Sequence, residues 1–121
     1  MPARTPEEID VLFQKFLNSG DVDGLVGLYE PNATLIGGPD QPANGTAAIR
    51  EAIKAFVDMK PQIDLRVEQT VLAGGDLATL YSTWTMIAGS EKMTGKSVEV
   101  VRRQADGTWL FVFDDPWGRG T

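Results

Sequence analysis

Residues 5–20 have the hydrophobic spacing of an amphipathic helix. Thr5, Pro6 and Glu8 form a start signal, in which the threonine and the glutamate make a capping box. The apolar residues that follow at steps of three and four are Ile9, Leu12, Phe13, Phe16 and Leu17. This pattern predicts a first helix with one buried face, ending at Asn18-Ser19-Gly20.

Two further helices are predicted, with a strand and a loop between them. Asp21 can cap a second helix, whose apolar side runs from Val22 to Tyr29 and which ends at Pro31. A strand is predicted over residues 33–36, and the stretch GGPDQPANG after it is rich enough in Gly and Pro to be a loop. The third helix begins at Thr46 and ends before Pro61, and its buried face carries Ile49, Ile53, Phe56 and Val57.

From Gln62 onward the hydrophobic period changes from 3.6 to 2, which predicts strands. Turn signals at Gly74-Gly75, at residues 88–93 and at Asp106-Gly107 divide this half into an antiparallel meander. The predicted fold is therefore α+β, a single domain over residues 1–121 in which three N-terminal helices pack on a curved, mostly antiparallel sheet.

A two-residue turn fixes which residues of a hairpin lie opposite each other. A turn at Gly74-Gly75 predicts an apolar face from the pairs Ile63 with Met86, Leu65 with Trp84 and Val67 with Ser82. The reverse face is predicted to be polar, with Asp64 opposite Thr85, Arg66 opposite Thr83 and Glu68 opposite Tyr81. We expect the helices to cover the apolar face.

The same reasoning at Asp106-Gly107 predicts the pairs Glu99 with Asp114, Val101 with Val112 and Arg103 with Leu110. The other face of this hairpin would carry Val98, Val100, Trp109, Phe111 and Phe113, which is too apolar to leave in water. We expect a homodimer through this sheet face. The alternative is that the C-terminal segment covers it, although few residues follow Trp117.

The charge and the missing residue types narrow the chemistry. Seventeen acidic against eleven basic residues give a net charge of −6, which disfavours nucleic acid and anionic membranes as partners. The chain has no Cys and no His, so a structural zinc site, a thiol nucleophile and an imidazole base are excluded. We expect no metal and no cofactor, and catalysis, if present, by carboxylates. With no disulfides, no secretory signal and no apolar span, we expect a cytoplasmic protein.

Three segments resemble the nuclear transport factor 2-like superfamily, nearest to its ketosteroid isomerase and SnoaL-like small proteins. They are GDVDGLVGLYEPNATL at 20–35, GTAAIRE at 45–51 and DGTWLFVFDDPW at 106–117. The resemblance implies a cystatin-like cone with a pocket at its open end. It implies no single activity, because the fold hosts isomerases, cyclases and plain binding proteins.

The isomerase site carries over only in part. Phe13 stands where the family has a tyrosine on the first helix, and Gly37 stands where it has the catalytic aspartate. The acid on the sheet is matched in kind by Glu99, which is one methylene longer. These departures argue against a true ketosteroid isomerase.

Three acidic residues are candidates for catalysis. Glu99 and Asp114, opposed in a partly apolar cone, cannot both ionise cheaply, so one should keep its proton near neutral pH. The alternative is a register slip that turns one acid to water or pairs it with Arg103 or Lys96. Asp40 could replace the missing base, although an Asp between Pro and Gln is also ordinary turn chemistry.

The candidate pocket walls are Tyr29, Phe56, Met59, Trp84, Met86 and Trp117. Apolar walls with few polar groups suit a hydrophobic small molecule. The sequence thus predicts a small-molecule-binding protein that acts as a carboxylate acid/base isomerase or cyclase on a hydrophobic carbonyl compound. The alternative is a non-catalytic ligand-binding or accessory module of the same fold.

Overall fold

The computed structural model describes residues 2–38 and 41–120, and within them the chain forms three helices and six strands. The helices are α1 (Glu8–Ser19), α2 (Val22–Val26) and α3 (Gly45–Asp58). The strands are β1 (Tyr29–Ile36), β2 (Pro42–Asn44), β3 (Gln62–Ala73), β4 (Leu77–Ala88), β5 (Glu91–Arg103) and β6 (Trp109–Asp115). No helix in these two ranges is long and apolar enough to cross a bilayer.

The six strands form one sheet in the order β2-β1-β6-β5-β4-β3. Every neighbouring pair is antiparallel except β1 and β6, which run parallel. Helix α1 packs against β3, and α3 packs against β1. The prediction of three helices with a mostly antiparallel sheet is confirmed.

The predicted boundaries were wrong between Val26 and Gly45. Tyr29 begins strand β1 and does not belong to the second helix, which is only five residues long. Pro31 lies within β1, where the pairing with β6 is interrupted between Tyr29 and Thr34, so its missing N–H leaves no gap in a ladder. The predicted loop also contains β2, which pairs with the end of β1.

The hairpin of β3 and β4 has the predicted register near the helices but not near its tip. Ile63 lies opposite Met86 and Leu65 opposite Trp84, as predicted. The tip has three residues, Gly74 to Asp76, because Ala73 pairs with Leu77. A β-bulge at Glu68 takes up the extra residue, so Gln69, and not Glu68, lies opposite Tyr81.

The hairpin of β5 and β6 also has a longer tip than predicted and a bulge that compensates for it. Glu99 lies opposite Asp114, as predicted, but Val101 lies opposite Phe111 and not Val112, and Arg103 lies opposite Trp109 and not Leu110. The register shifts between Val100 and Val101 because Val112 on β6 is an extra, bulged residue. The tip is again longer than two residues, since Gln104 N–H donates to Thr108 O across it.

This second bulge changes which residues share a face. Trp109 and Phe111, predicted on the outer face, are in the core and only 6% and 1% exposed. That part of the prediction was wrong, because the bulge reverses the alternation of β6. The outer face carries Val98 and Val100 on β5 with Leu110 and Phe113 on β6, one on each side of the bulge, and all four are half-buried. The homodimer itself stays a prediction.

Candidate functional site

A small cavity lies between α1, α3 and the inner face of the sheet. Its volume is about 60 Å³, enough for several water-sized groups. Its apolar walls are Phe13, Leu17, Phe56, Ile63, Leu65, Trp84, Met86, Phe111, Pro116 and Trp117. Its polar walls are Ser97, Glu99 and Asp114. The chemistry available to a molecule in this cavity is therefore that of two carboxyl groups and a hydroxyl.

Strands β5 and β6 bring Glu99 and Asp114 together at directly opposed positions. Both are buried, which contradicts the alternative that a register slip turns one of them to water. Neither basic candidate reaches the pair, since the Arg103 guanidinium bonds Asp76 at 2.8 Å and Lys96 is exposed. The two acids are thus held in the cavity, and neither Arg103 nor Lys96 balances their charge.

Asp114 is bound by a tyrosine from β1. The Tyr29 hydroxyl donates to Asp114 Oδ2 at 2.6 Å inside the core. Burial raises the pKa of Asp114 to about 7, the Tyr29 bond opposes that rise, and the charges of Asp10 and Asp115 add to it. The pKa of Tyr29 lies well above its ordinary value, chiefly through burial and then the Asp114 charge, so the phenol keeps its proton.

A third carboxyl group, that of Asp10 on α1, reaches the same place. Asp10 is only 2% exposed, and the Ser82 hydroxyl of β4 donates to its Oδ2 at 2.8 Å. Its carboxyl group lies within hydrogen-bonding reach of Glu99. Burial raises the pKa of Asp10, while its hydrogen bonds to Glu99 and Ser82 lower it. Asp10 does not line the cavity and sits behind Glu99.

The surroundings of Glu99 favour its protonated form. Burial raises its pKa well above the ordinary value, and the charges of Asp10 and Asp114 and the hydrogen bond with Asp10 raise it further. The Ser97 hydroxyl donates to Glu99 Oε2 at 3.0 Å. The remaining oxygens, Glu99 Oε1 and Asp10 Oδ1, are buried and have no other hydrogen-bond partner. One proton shared between the two carboxyl groups would satisfy both atoms.

The predicted wall residues divide into three groups. Phe56, Trp84, Met86 and Trp117 line the cavity. Tyr29 lies behind the wall, with its ring 4.9 Å from that of Phe111. Met59 follows the end of α3, is 43% exposed and does not line the cavity. Asp40 lies outside the described residues.

Trp84 is fixed in place by the chain that follows β6. Its indole N–H donates to Pro116 O at 2.7 Å, and its ring meets Trp117 edge to face at 5.8 Å. Gly95, directly opposite Trp84 on β5, leaves the space that this ring occupies. The cavity wall therefore depends on a glycine in the middle of a strand.

Sequence reasoning missed Asp10, Ser82 and Ser97. A signal for Asp10 was present, because Phe13 and Leu17 follow it by three and seven residues and place it on the apolar face of α1. The two serines occupy inward-facing positions of their strands, in phase with Leu80 and Trp84 on β4 and with Glu99 on β5, which also marks them as buried. A buried acid on a helix face, with serines on the facing strands, was the pattern to look for.

A model of the SnoaL-like domain family matches residues 11–118, nearly the whole chain. The chain belongs to the SnoaL-like family. Its resemblance to the nuclear transport factor 2-like superfamily is thereby confirmed, and solved structures agree.

Three solved structures illustrate the shared fold of this SnoaL-like chain. A ketosteroid isomerase-like protein from Erwinia carotovora atroseptica has 17% identity and a TM-score of 0.73, covering 90% of this chain and 89% of that one. A nuclear transport factor 2-like protein of unknown function from Shewanella oneidensis has 18% identity and a TM-score of 0.77, covering 89% and 92%. A domain of unknown function with a cystatin-like fold from Nostoc punctiforme has 15% identity and a TM-score of 0.79, covering 95% and 75%. At these identities the likeness concerns the fold alone.

Proposed function

We propose that this SnoaL-like protein binds a small hydrophobic carbonyl compound and moves a proton on the carbon next to the carbonyl, as an isomerase or cyclase does. The observation that carries the proposal is the pairing of Asp114 with Glu99 in an apolar cavity. Asp114 has a pKa of about 7, and Glu99 has a pKa well above its ordinary value. Two carboxyl groups of unlike protonation supply a base and an acid without histidine.

In the proposed reaction, ionised Asp114 is the base. It takes a proton from the carbon next to the carbonyl, so that a C–H bond breaks and an O–H bond forms on Asp114. The electron pair moves toward the carbonyl oxygen, which takes the Glu99 proton as its negative charge grows, so that an enol forms. In an isomerisation, Asp114 gives its proton to a different carbon, the enol oxygen returns its proton to Glu99, and the carbonyl re-forms. In a cyclisation, the enol carbon attacks a second carbonyl of the same molecule, whose π bond breaks. The new alkoxide takes the Asp114 proton, and the first oxygen returns its proton to Glu99.

The walls define the ligand class. None of the described residues lining the cavity is Lys or Arg, so an anionic ligand would meet carboxyl groups with no compensating charge. Five aromatic rings line the cavity and favour an apolar body on the ligand: Phe13, Phe56, Trp84, Phe111 and Trp117. We propose that the helices and the sheet enclose this ligand as a cone with one open end.

Hydrogen exchange on a simple ketone tests the proposal without knowledge of the natural substrate. Cyclopentanone in D₂O should gain deuterium beside its carbonyl faster with the wild-type protein than in buffer, as followed by proton NMR. Asp114→Asn should reduce the enzymatic rate by about 100-fold or more, and Glu99→Gln should also reduce it. Asp64→Asn is the matched control, because the Asp64 side chain on β3 is 59% exposed and lies outside the cavity, and it should keep the wild-type rate.

The second candidate function is a non-catalytic binding module, favoured by the phenylalanine at position 13, whose ring lines the cavity but offers no hydroxyl. This alternative predicts no deuterium uptake with the wild-type protein. It also predicts that cyclopentanone binds equally well to the wild-type protein and to the double variant Asp114→Asn, Glu99→Gln. The absence of deuterium uptake with the wild-type protein would contradict the catalytic proposal.

We also propose a two-fold dimer through the outer sheet face. Its support is the half-buried apolar row Val98, Val100, Leu110 and Phe113 on neighbouring strands. A second copy would place the same row against itself, as a two-fold interface requires.

A further inference from the structure

The Asp10 carboxyl group borders a second space in the molecule. A groove runs between α1 and β3 and is lined by Glu7, Asp10, Val11, Leu65 and Val67 to Thr70. Glu7, Val11, Glu68 and Gln69 are exposed, so this groove opens to solvent. Its volume is about 340 Å³, which leaves ample room for water.

The groove and the apolar cavity meet at the carboxyl groups of Asp10 and Glu99, which are called the acid pair below. Of the residues that line the two spaces, only Leu65 lines both. Glu99 lines the cavity, Asp10 lines the groove, and the two carboxyl groups are hydrogen-bonding neighbours. Leu65, and the carboxyl groups of Asp10 and Glu99 taken together, thus border both spaces.

Each carboxyl group of the acid pair accepts a hydrogen bond from a serine of the sheet. Ser82 donates to Asp10, and Ser97 donates to Glu99, so each carboxyl group has one oxygen held by a strand hydroxyl. Their other oxygens have no further partner and are buried. Ser82 and Ser97 lie directly opposite each other on β4 and β5, which makes the arrangement nearly symmetrical about the shared proton.

We propose that Asp10 holds a proton in common with Glu99 and exchanges it with solvent through the groove between α1 and β3. On release, the Glu99 O–H bond breaks as an O–H bond forms on Asp10, and that proton then passes to water in the groove. Uptake follows the reverse order. Asp10 is then a positioning residue, which sets the protonation of the acid in the cavity from outside the cavity.

This inference deepens the proposed function, on which its catalytic meaning rests, but its test needs no turnover. The titratable groups around Asp10 and Glu99 are Glu7 on α1, Glu68 on β3, Asp114 on β6 and Tyr29 on β1. The nearest cation is the Arg119 guanidinium, which donates to Ser82 O at 2.9 Å and to Ser97 O at 3.3 Å. The Ser82 and Ser97 hydroxyls complete the surroundings. No described residue with a positive charge lines either space, so the proton itself balances the pair.

Carbon-13 NMR of the carboxyl carbons tests the shared proton in the unliganded protein, with the Glu99 signal assigned by its loss in Glu99→Gln. Asp10→Asn should lower the titration midpoint of Glu99 by about one pH unit or more, because it removes a like charge and supplies an amide donor. Glu7→Gln removes one charge from the same helix and groove without touching Glu99, and should shift the midpoint by less than about 0.3 unit. An unchanged midpoint in Asp10→Asn would overturn the proposal.

Two serine variants keep the test valid if Asp10→Asn does not fold. Ser82→Ala removes the donor to Asp10, so the proton should move toward Asp10, and the Glu99 carbon shift at pH 7 should move toward its ionised value. Ser97→Ala removes the donor to Glu99 and should move the same signal in the opposite direction. A purely structural role gives no opposite pair of shifts, so movement in one common direction would contradict proton sharing.

The route to solvent has its own experiment. Val11 is 65% exposed at the groove, and Leu72 is 64% exposed away from it. Val11→Trp should fill the groove and broaden the Glu99 signal near its midpoint through slower proton exchange, without moving the midpoint. Leu72→Trp is the matched control and should leave the line width unchanged. If Val11→Trp leaves the exchange as fast as in the wild type, the groove is not the path.

Discussion

The side chain of Tyr29 belongs both to the core and to the candidate site. Its ring packs on Phe111, and its hydroxyl bonds the carboxyl group of Asp114. Because that hydroxyl opposes the rise in the pKa of Asp114, the tyrosine adjusts the base while remaining outside the cavity. The sequence suggested Tyr29 as a wall, whereas the structure gives it a hydrogen-bonding position behind one.

Tyr29→Phe should therefore raise the titration midpoint of Asp114 above about 7, since the ionised carboxylate loses its tyrosine donor. Carbon-13 NMR of the Asp114 carboxyl carbon measures this midpoint. Tyr81→Phe is the matched control, because Tyr81 is the other tyrosine of the chain and does not line the cavity. A midpoint at or below the wild-type value in Tyr29→Phe would mean that the hydroxyl does not stabilise the carboxylate.

The raised pKa of Asp114 also makes folding depend on pH. In the folded chain its pKa is about 7 against an ordinary 3.8, so between these values the folded state binds more protons than the unfolded state. The free energy of unfolding should therefore fall as the pH rises from about 4 to about 7, by a contribution on the order of 4 kcal/mol from this group. Glu99 and Asp10 act in the same direction.

Urea unfolding at pH 5 and pH 8 measures this dependence. The wild-type midpoint should be lower at pH 8, and Asp114→Asn should reduce the difference because an amide does not titrate. A wild-type midpoint that rises from pH 5 to pH 8 would contradict the raised pKa values.

At the scale of the element, β5 depends on a glycine for its fit to β4. A Cβ atom on Gly95 would collide with the Trp84 indole ring, including its N–H nitrogen. That nitrogen is held by Pro116 O, so the ring cannot move aside without losing its hydrogen bond. A glycine inside a predicted strand is thus explained by the aromatic side chain that lies across it.

Gly95→Ala should lower the free energy of unfolding by about 1–3 kcal/mol, because the added methyl group overpacks the space beside Trp84. It should also shift the tryptophan fluorescence of the folded protein, since Trp84 and Trp117 are in contact. Gly75→Ala is the control, because a Cβ there meets only the Arg103 guanidinium at 4.0 Å. Equal stability of the two variants would contradict this account of the strand.

The elements also show where prediction from sequence succeeds and fails. Periodicity identified α1, α3 and the three long strands, because each buries a continuous face. It missed that Tyr29 begins a strand, since a single residue at the end of an apolar run fits either period. It also missed the bulges at Glu68 and Val112, because an extra residue in a strand leaves no mark on the turn signals from which register was inferred.

At the scale of the whole molecule, the site joins elements far apart in the chain. The opposition of Glu99 and Asp114 could be predicted because one hairpin contains both. The contact of Asp10 with Glu99 could not, since nothing local fixes how α1 lies on the sheet. Carboxyl groups 89 positions apart meet only through tertiary packing. Fold and partial site were thus accessible from sequence, while the third acid was not.

The proposed dimer belongs to this scale. Val100→Asp should convert a dimer to a monomer in sedimentation experiments, because it places a charge in the apolar row of the outer face. Leu72→Asp is the control, since Leu72 is equally apolar but pairs with Ala78 at the far end of β3. A wild-type protein that sediments as a monomer would contradict the dimer, and so would a dimer that persists in Val100→Asp with its fold intact.

The two bulges have a consequence for tolerated changes in chain length. Each bulge lies between the tip of its hairpin and the residues that face the cavity. Counted from the tip, Glu68 comes before Leu65 on β3, and Val112 comes before Asp114 on β6. A residue lost from either tip can be absorbed by flattening the adjacent bulge, so the spacing of the acids and the tryptophan wall survives. Related chains can therefore gain or lose single tip residues, and carry new surface contacts there, without rebuilding the chemistry inside.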